Sequence, residues 1–180
     1  MTGGGAPEFS RVVRLDRIGR SESMVSLAAD EGERAALAKR FGLLTLDRLE
    51  ADYILTQEDG ALVARGRLRA DAAQPCVASG EPVPERIDAP FAVRFLPESA
   101  EPQEDEIALD ADDCDTVFYS GESIDIGEAV AETLSLSLDP YPRAPGADAY
   151  LRERGVMTEE QAGPFAALLA LQEKAAKRQS

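Results

Sequence analysis

The side chains with chemical potential in this sequence are two sets of clustered charges and a single thiol motif. Asp110, Asp112, Asp113 and Asp115 are oxygen donors of the kind that hold a hard cation. Their spacing lacks the central glycine and the terminal bidentate glutamate of a calcium loop, so no metal and no cofactor is expected. Cys76-Val77-Ala78-Ser79 has the frame of a C-x-x-C pair with serine in the second place. That leaves neither dithiol redox chemistry nor a thiolate zinc site, and Cys76 reads as a small strand-end hydrophobe. Histidine is absent from the 180 residues, which removes Ser-His-Asp and Cys-His catalysis and the usual neutral-pH proton shuttle. Gly3 to Gly5 lack the Lys-Ser/Thr and the preceding strand of a phosphate-cradling loop. The expectation is a protein that is not an enzyme and takes no small-molecule substrate. Metal-dependent catalysis would need several acids converging in one pocket.

Charge is distributed very unevenly. The formal net charge is −15, yet between Phe95 and Pro142 there are fourteen acids and no Lys or Arg. The rest of the chain is close to neutral. Glu104, Asp105, Glu106, Asp112, Asp113, Asp125, Glu128 and Glu132 lie in this stretch and are the candidate partner-binding residues. Such a field repels phosphate backbones and attracts basic proteins over about a Debye length, roughly 8 Å at physiological salt. A solvated acidic loop that only adds solubility is the plainer reading of the same residues. Arg65, Arg67 and Arg69 alternate in mid-chain, and Arg143 stands alone further on. These four are the candidate RNA-binding residues, although an arginine at every second position also describes the solvent side of a sheet.

The elements that would position these groups follow from periodicity. Residues 1–7 read as a flexible tail and residues 8–145 as one domain. Within it FSRVVRLDRI suggests an imperfect strand. Asp30 precedes a helix with Ala35, Leu37, Ala38 and Phe41 on one face, closed by Gly42. Alternation on both sides of Asp59-Gly60 predicts a hairpin. Ile87, Ala89, Phe91, Val93 and Phe95 share one face of a strand, with Pro90 marking an edge or irregular position. Residues 98–115 read as a flexible, exposed acidic loop. Asp125 and Glu128 have capping-box spacing, and Ile126, Val130, Ala131 and Leu134 continue a helix to about Ser137, stopped by Asp139-Pro140. Residues 146–163 read as a linker, and residues 164–180 as a short helix with a basic tail. The fold class is therefore α+β, with a twisted antiparallel or partly closed β-sheet of five to seven strands and two or three helices. No apolar run approaches the roughly 20 residues of a bilayer span, and MTGGGAPEFSRVVR lacks the apolar segment of a secretion signal. A cytoplasmic protein without membrane contact is expected.

Three stretches carry a resemblance to a known family. Pro75-Cys76-Val77-Ala78-Ser79-Gly80-Glu81-Pro82-Val83 followed by Phe91-Ala92-Val93-Arg94-Phe95 resembles the C-x-x-C/S-x-E-P-V then F-x-x-x-F pattern of the YceD family. Ile124-Asp125-Ile126-Gly127-Glu128-Ala129-Val130-Ala131-Glu132-Thr133-Leu134 through Tyr141-Pro142-Arg143 is similar to its second signature, I-D-L-G-E-x-V-x-E-x-L then Y-P-R. Pro164-Phe165-Ala166-Ala167-Leu168 resembles its C-terminal P-F-A-x-L. The resemblance implies large ribosomal subunit biogenesis, with a part in the accumulation or processing of 23S ribosomal RNA. Set beside the charge distribution, it suggests a basic large-subunit ribosomal protein as partner, docked on the acidic stretch. Direct binding of ribosomal RNA through the arginine-rich strand faces is the competing expectation, and a metal-dependent RNA-processing enzyme is the second, lesser alternative.

Overall fold

The computed structural model describes residues 8–18, 23–58, 60–98 and 115–156; the acidic residues 99–114, the tail 1–7 and the segment 164–180 lie outside these. The chain divides into two units. The first runs from the N-terminus to Gln74 and resumes over Pro84–Pro140; the second combines Pro75–Val83 with the chain from Tyr141 onward.

In the first unit the described residues form a five-stranded sheet in the order β2-β3-β4-β5-β6 and a two-stranded sheet of β1 with β7. The strands are β1 (Val12–Arg14), β2 (Met24–Ala28), β3 (Thr45–Glu58), β4 (Ala61–Pro75), β5 (Pro82–Pro97), β6 (Asp115–Tyr119) and β7 (Ser123–Asp125), with helices α1 (Glu31–Phe41) and α2 (Ile126–Ser137). The α+β expectation holds. The pairings β1–β7, β2–β3 and β3–β4 are antiparallel, while β6 joins β5 in parallel.

Local chemistry explains the long hairpin. β3 and β4 pair from Glu58↔Ala61 back to Thr45↔Ala73, and Gly60 takes φ +81°, a left-handed conformation that costs glycine little. Leu46 and Leu49 are both buried although three residues apart. A bulge between Leu46 and Arg48 inserts one residue and returns Leu49 to the core face. On β5, Ile87, Phe91, Val93 and Phe95 are buried. Pro90 sits where β5 has no β6 partner, because that pairing begins at Val93↔Asp115.

Both helices begin at an aspartate. Around α1, Asp30 accepts from the Glu33 amide at 2.9 Å while the Glu33 carboxylate accepts from the Asp30 amide at 2.8 Å, a complete capping box. Gly42 closes it at φ +67°. The box expected on α2 is only half made: Asp125 accepts from the Glu128 amide at 3.2 Å, but the Glu128 side chain turns to Arg40 instead. Ile126, Val130 and Leu134 of α2 join Phe9, Leu37, Leu49, Leu68 and Phe95 in one buried cluster. At roughly 1.5–3 kcal/mol for each large side chain taken out of water, this cluster is the main source of the fold's stability.

In the second unit, Cys76, Ala144 and Ala147 form a small buried cluster packed by Ala78 and Val83. The stretch read as a linker carries a short helix, α3 (Ala147–Glu153).

Candidate interaction surfaces

Three of the candidate partner-binding acids are described, and all three stand at the start of α2 or along it. Asp125 faces inward. One of its carboxylate oxygens accepts from the Arg11 amide at 2.8 Å and from the Glu128 amide, and the other from the Ser10 hydroxyl at 2.5 Å. Gly127 makes the N-terminal segment's approach possible, since a Cβ there would lie 2.6 Å from the Phe9 carbonyl oxygen and 2.7 Å from the Arg11 nitrogen. Glu128 forms a two-point pair with the Arg40 guanidinium at 2.7 and 3.1 Å, and Glu8 takes a third contact at 3.1 Å. Glu132, one turn further on, points into a groove. Its carboxyl is held above the usual range, first by partial burial and then by the negative charges of Glu128 and Asp115, with Arg40 opposing. Glu104, Asp105, Glu106, Asp112 and Asp113 lie outside the described residues.

That groove has a volume of about 390 Å³. Phe41 from the last turn of α1, Val93 of β5, Val117 of β6 and Leu136 of α2 give it apolar lining, and Asp115 and Glu132 give it carboxylates. Leu136 is 74% exposed. The sequence reading missed the groove, because its lining comes from four elements far apart in the chain. Leu136 gave one signal: it falls outside the helical phase of Ile126, Val130 and Leu134, so it has no place on the buried stripe.

The arginine stripe of β4 lies on the solvent face of the sheet, and carboxylates interleave with it. Arg65 pairs with Glu58, Arg67 with Asp88 at 2.5 Å and Arg69 with Asp52 at 2.7 Å. Arg86 adds a pair to Asp71 at 3.0 Å, and Arg48 a pair to Glu50 at 2.6 Å. The arginines hold their partners below the usual carboxylate range: Glu58 by Arg65 then Thr56, Asp88 by Arg67, and Asp52 by the Ser26 hydroxyl then Arg69. Exposed pairs of this kind are worth little, so a phosphate can compete for them. Yet the face as built is a lattice of both signs rather than a cationic patch.

The second unit holds Arg143, paired to Asp148 at 2.8 Å, and Cys76. The Cys76 sulfur accepts from the Ala144 amide at 3.3 Å. That donor, with the Ser79 hydroxyl and amide, pulls the thiol down to about 6 against a weaker opposing effect of burial. Thiolate absorbance at 240 nm should therefore show a midpoint near 6 that Cys76→Ser removes; a single midpoint above 8 would refute it. A depressed thiol stabilises the fold most above its unfolded value of about 8.5 and loses that contribution as pH falls through 6. Thermal stability should thus rise from pH 6 to pH 8.5 more in the natural protein than in Cys76→Ser. Among the described residues no three His, Cys, Asp or Glu side chains are grouped to hold a metal ion, and no helix is long and apolar enough to cross a membrane.

No curated protein and no solved structure matches the chain. The family model described as large ribosomal RNA subunit accumulation protein YceD matches residues 64–172. The match takes in β4 with its arginines, the Cys76 turn, the acidic stretch and α2, and it spans more than half of the sequence. With the two signatures placed in the fold, the chain belongs to the YceD family of large ribosomal RNA subunit accumulation proteins.

Proposed function

We propose that this protein is a non-enzymatic factor of large ribosomal subunit biogenesis that supports 23S ribosomal RNA accumulation or processing by docking a basic ribosomal protein on its acidic surface. The observation that carries this reading is the run from Phe95 to Pro142, with fourteen acids and no Lys or Arg. Phosphate contacts are made by cations, whereas a surface of one negative sign speeds and orients the approach of a basic protein. The arginines of β4 argue the same way, since each of Arg65, Arg67 and Arg69 already faces a carboxylate. Direct binding of ribosomal RNA through Arg65, Arg67, Arg69 and Arg143 is the rival.

Affinity capture from native lysate separates the two. Basic large-subunit proteins should survive RNase and be released at about 0.5 M salt, where the screening length falls to roughly 4 Å. Amide replacements at Glu104, Asp105, Glu106, Asp112 and Asp113 together should reduce capture more than alanine at Arg65, Arg67 and Arg69. The reverse ranking, with loss on RNase treatment, would replace protein docking by RNA binding.

A further inference from the structure

The groove beside α2 has two unlike parts. Its apolar lining leaves Leu136 74% exposed, on a helix whose other branched apolar residues, Ile126, Val130 and Leu134, are each 0% exposed. Glu132 and Asp115 also line the groove. Among the described residues Arg40 is the cation that lines it, and its guanidinium is engaged by Glu128 and Glu8. The groove therefore offers an apolar lining and carboxylates whose charge Arg40 does not balance.

We propose that this groove receives a lysine or arginine of a basic protein segment together with an adjoining apolar side chain, the cationic head meeting Glu132 and Asp115 and the aliphatic atoms covering Phe41, Val117 and Leu136. This rests on the protein-docking reading above and names the point where it makes close contact. Long basic side chains have the required division, an apolar stem under a charged head. A volume of about 390 Å³ lies at the lower end of the range for small-molecule pockets, which leaves room for a long side chain and its neighbour. Charge selects the occupant among macromolecules. RNA has the sign of the groove, and a second copy of a chain with net charge −15 meets general repulsion. A basic segment is attracted on both counts.

The probe is a fluorescein-labelled peptide of alternating Lys and Leu, read by fluorescence anisotropy against the full-length protein. Glu132→Gln should weaken binding about fivefold, the upper range for an exposed ion pair. Leu136→Ser should weaken it about tenfold through lost apolar contact. Asp115→Asn should act in the same direction, and the exposed β3 change Asp47→Asn should not. Circular dichroism checks that the variants fold, which the exposure of Leu136 favours. The peptide with Gln for Lys should bind far more weakly; equal binding would overturn the cationic part. Unchanged affinity in both Glu132→Gln and Leu136→Ser would overturn the site. Self-association that Leu136→Ser abolishes would assign the groove to a second copy, and an RNA oligomer released by the same changes would assign it to RNA; either result overturns the proposal. Its failure is separable from that of the wider reading. If the groove variants keep the peptide while the amide replacements at 104–113 lose the captured ribosomal proteins, only the groove fails. If the peptide depends on Glu132 and Leu136 while no ribosomal protein is captured, only the wider reading fails.

Discussion

Gly66→Ala should unfold most of the protein at a urea concentration where the natural chain is intact. Gly66 lies in β4 directly opposite Tyr53 of β3. A Cβ at that position would stand 2.1 Å from the Asp52 carbonyl oxygen and 2.8 Å from the Tyr53 Cα and Cβ. Two of these three atoms are backbone, so no rotamer change relieves the overlap; the strands must separate. They hold Leu49 and Ala51 on one side of the hairpin and Leu68 and Ala70 on the other, all at most 1% exposed, and any opening there lets go of the core. Overpacking that flexible side chains absorb costs about 1–3 kcal/mol, and a backbone clash in a paired strand belongs at or above the top of that range. Against a total of about 5–15 kcal/mol, the urea midpoint should fall by about 1.5 M or more for a slope near 2 kcal/mol per molar. A midpoint within a few tenths of a molar of the natural protein's would show that the sheet accommodates the methyl group.

The same glycine shows how far the sequence reaches. Its place among Leu62, Ala64, Leu68 and Ala70 follows from two-residue alternation, but the close approach of Asp52 is a property of the partner strand and no pattern within β4 encodes it. Elements with a local signature were legible: the α1 cap residues Asp30 and Gly42, the turn at Gly60, the alternating β5 and the stripe of α2. Three short strands were not. In β2 only Leu27 is buried, while Met24 is 71% and Val25 41% exposed, so no alternation marks it. β7 has three residues, fewer than a period can reveal. β6 pairs in parallel across the acidic stretch, a long-range choice that depends on the finished sheet. The candidate surfaces divide in the same way. The count of acids was legible, as was the arginine stripe. The carboxylates matched to that stripe come from β3 and β5, and the groove lining comes from Phe41, Val93, Val117 and Leu136; both needed the strands and helices to be assembled first.

Asp125 provides the second large effect and separates stability from docking on one residue. Its carboxylate accepts the Ser10 hydroxyl, the Arg11 amide and the Glu128 amide, so it caps α2 and fastens the N-terminal segment to it. That segment delivers Phe9, 0% exposed, with the Arg11 guanidinium 4.6 Å from its ring centre. Asp125→Ala removes the cap, worth about 1 kcal/mol, and strands a partly buried amide and hydroxyl at about 1–3 kcal/mol; a total near 3 kcal/mol is expected. Asp125→Asn keeps one acceptor oxygen and caps about as well as aspartate, so it should cost about 1 kcal/mol. Chemical denaturation of both variants checks the order, and equal losses would mean that charge, not hydrogen-bond geometry, holds the junction. Because the carboxylate is turned inward, Asp125→Asn should capture basic large-subunit proteins as well as the natural protein does at low salt, once normalised to folded material. Glu132→Gln should not. A folded Asp125→Asn variant that loses capture would place this carboxylate on the docking surface despite its three internal partners.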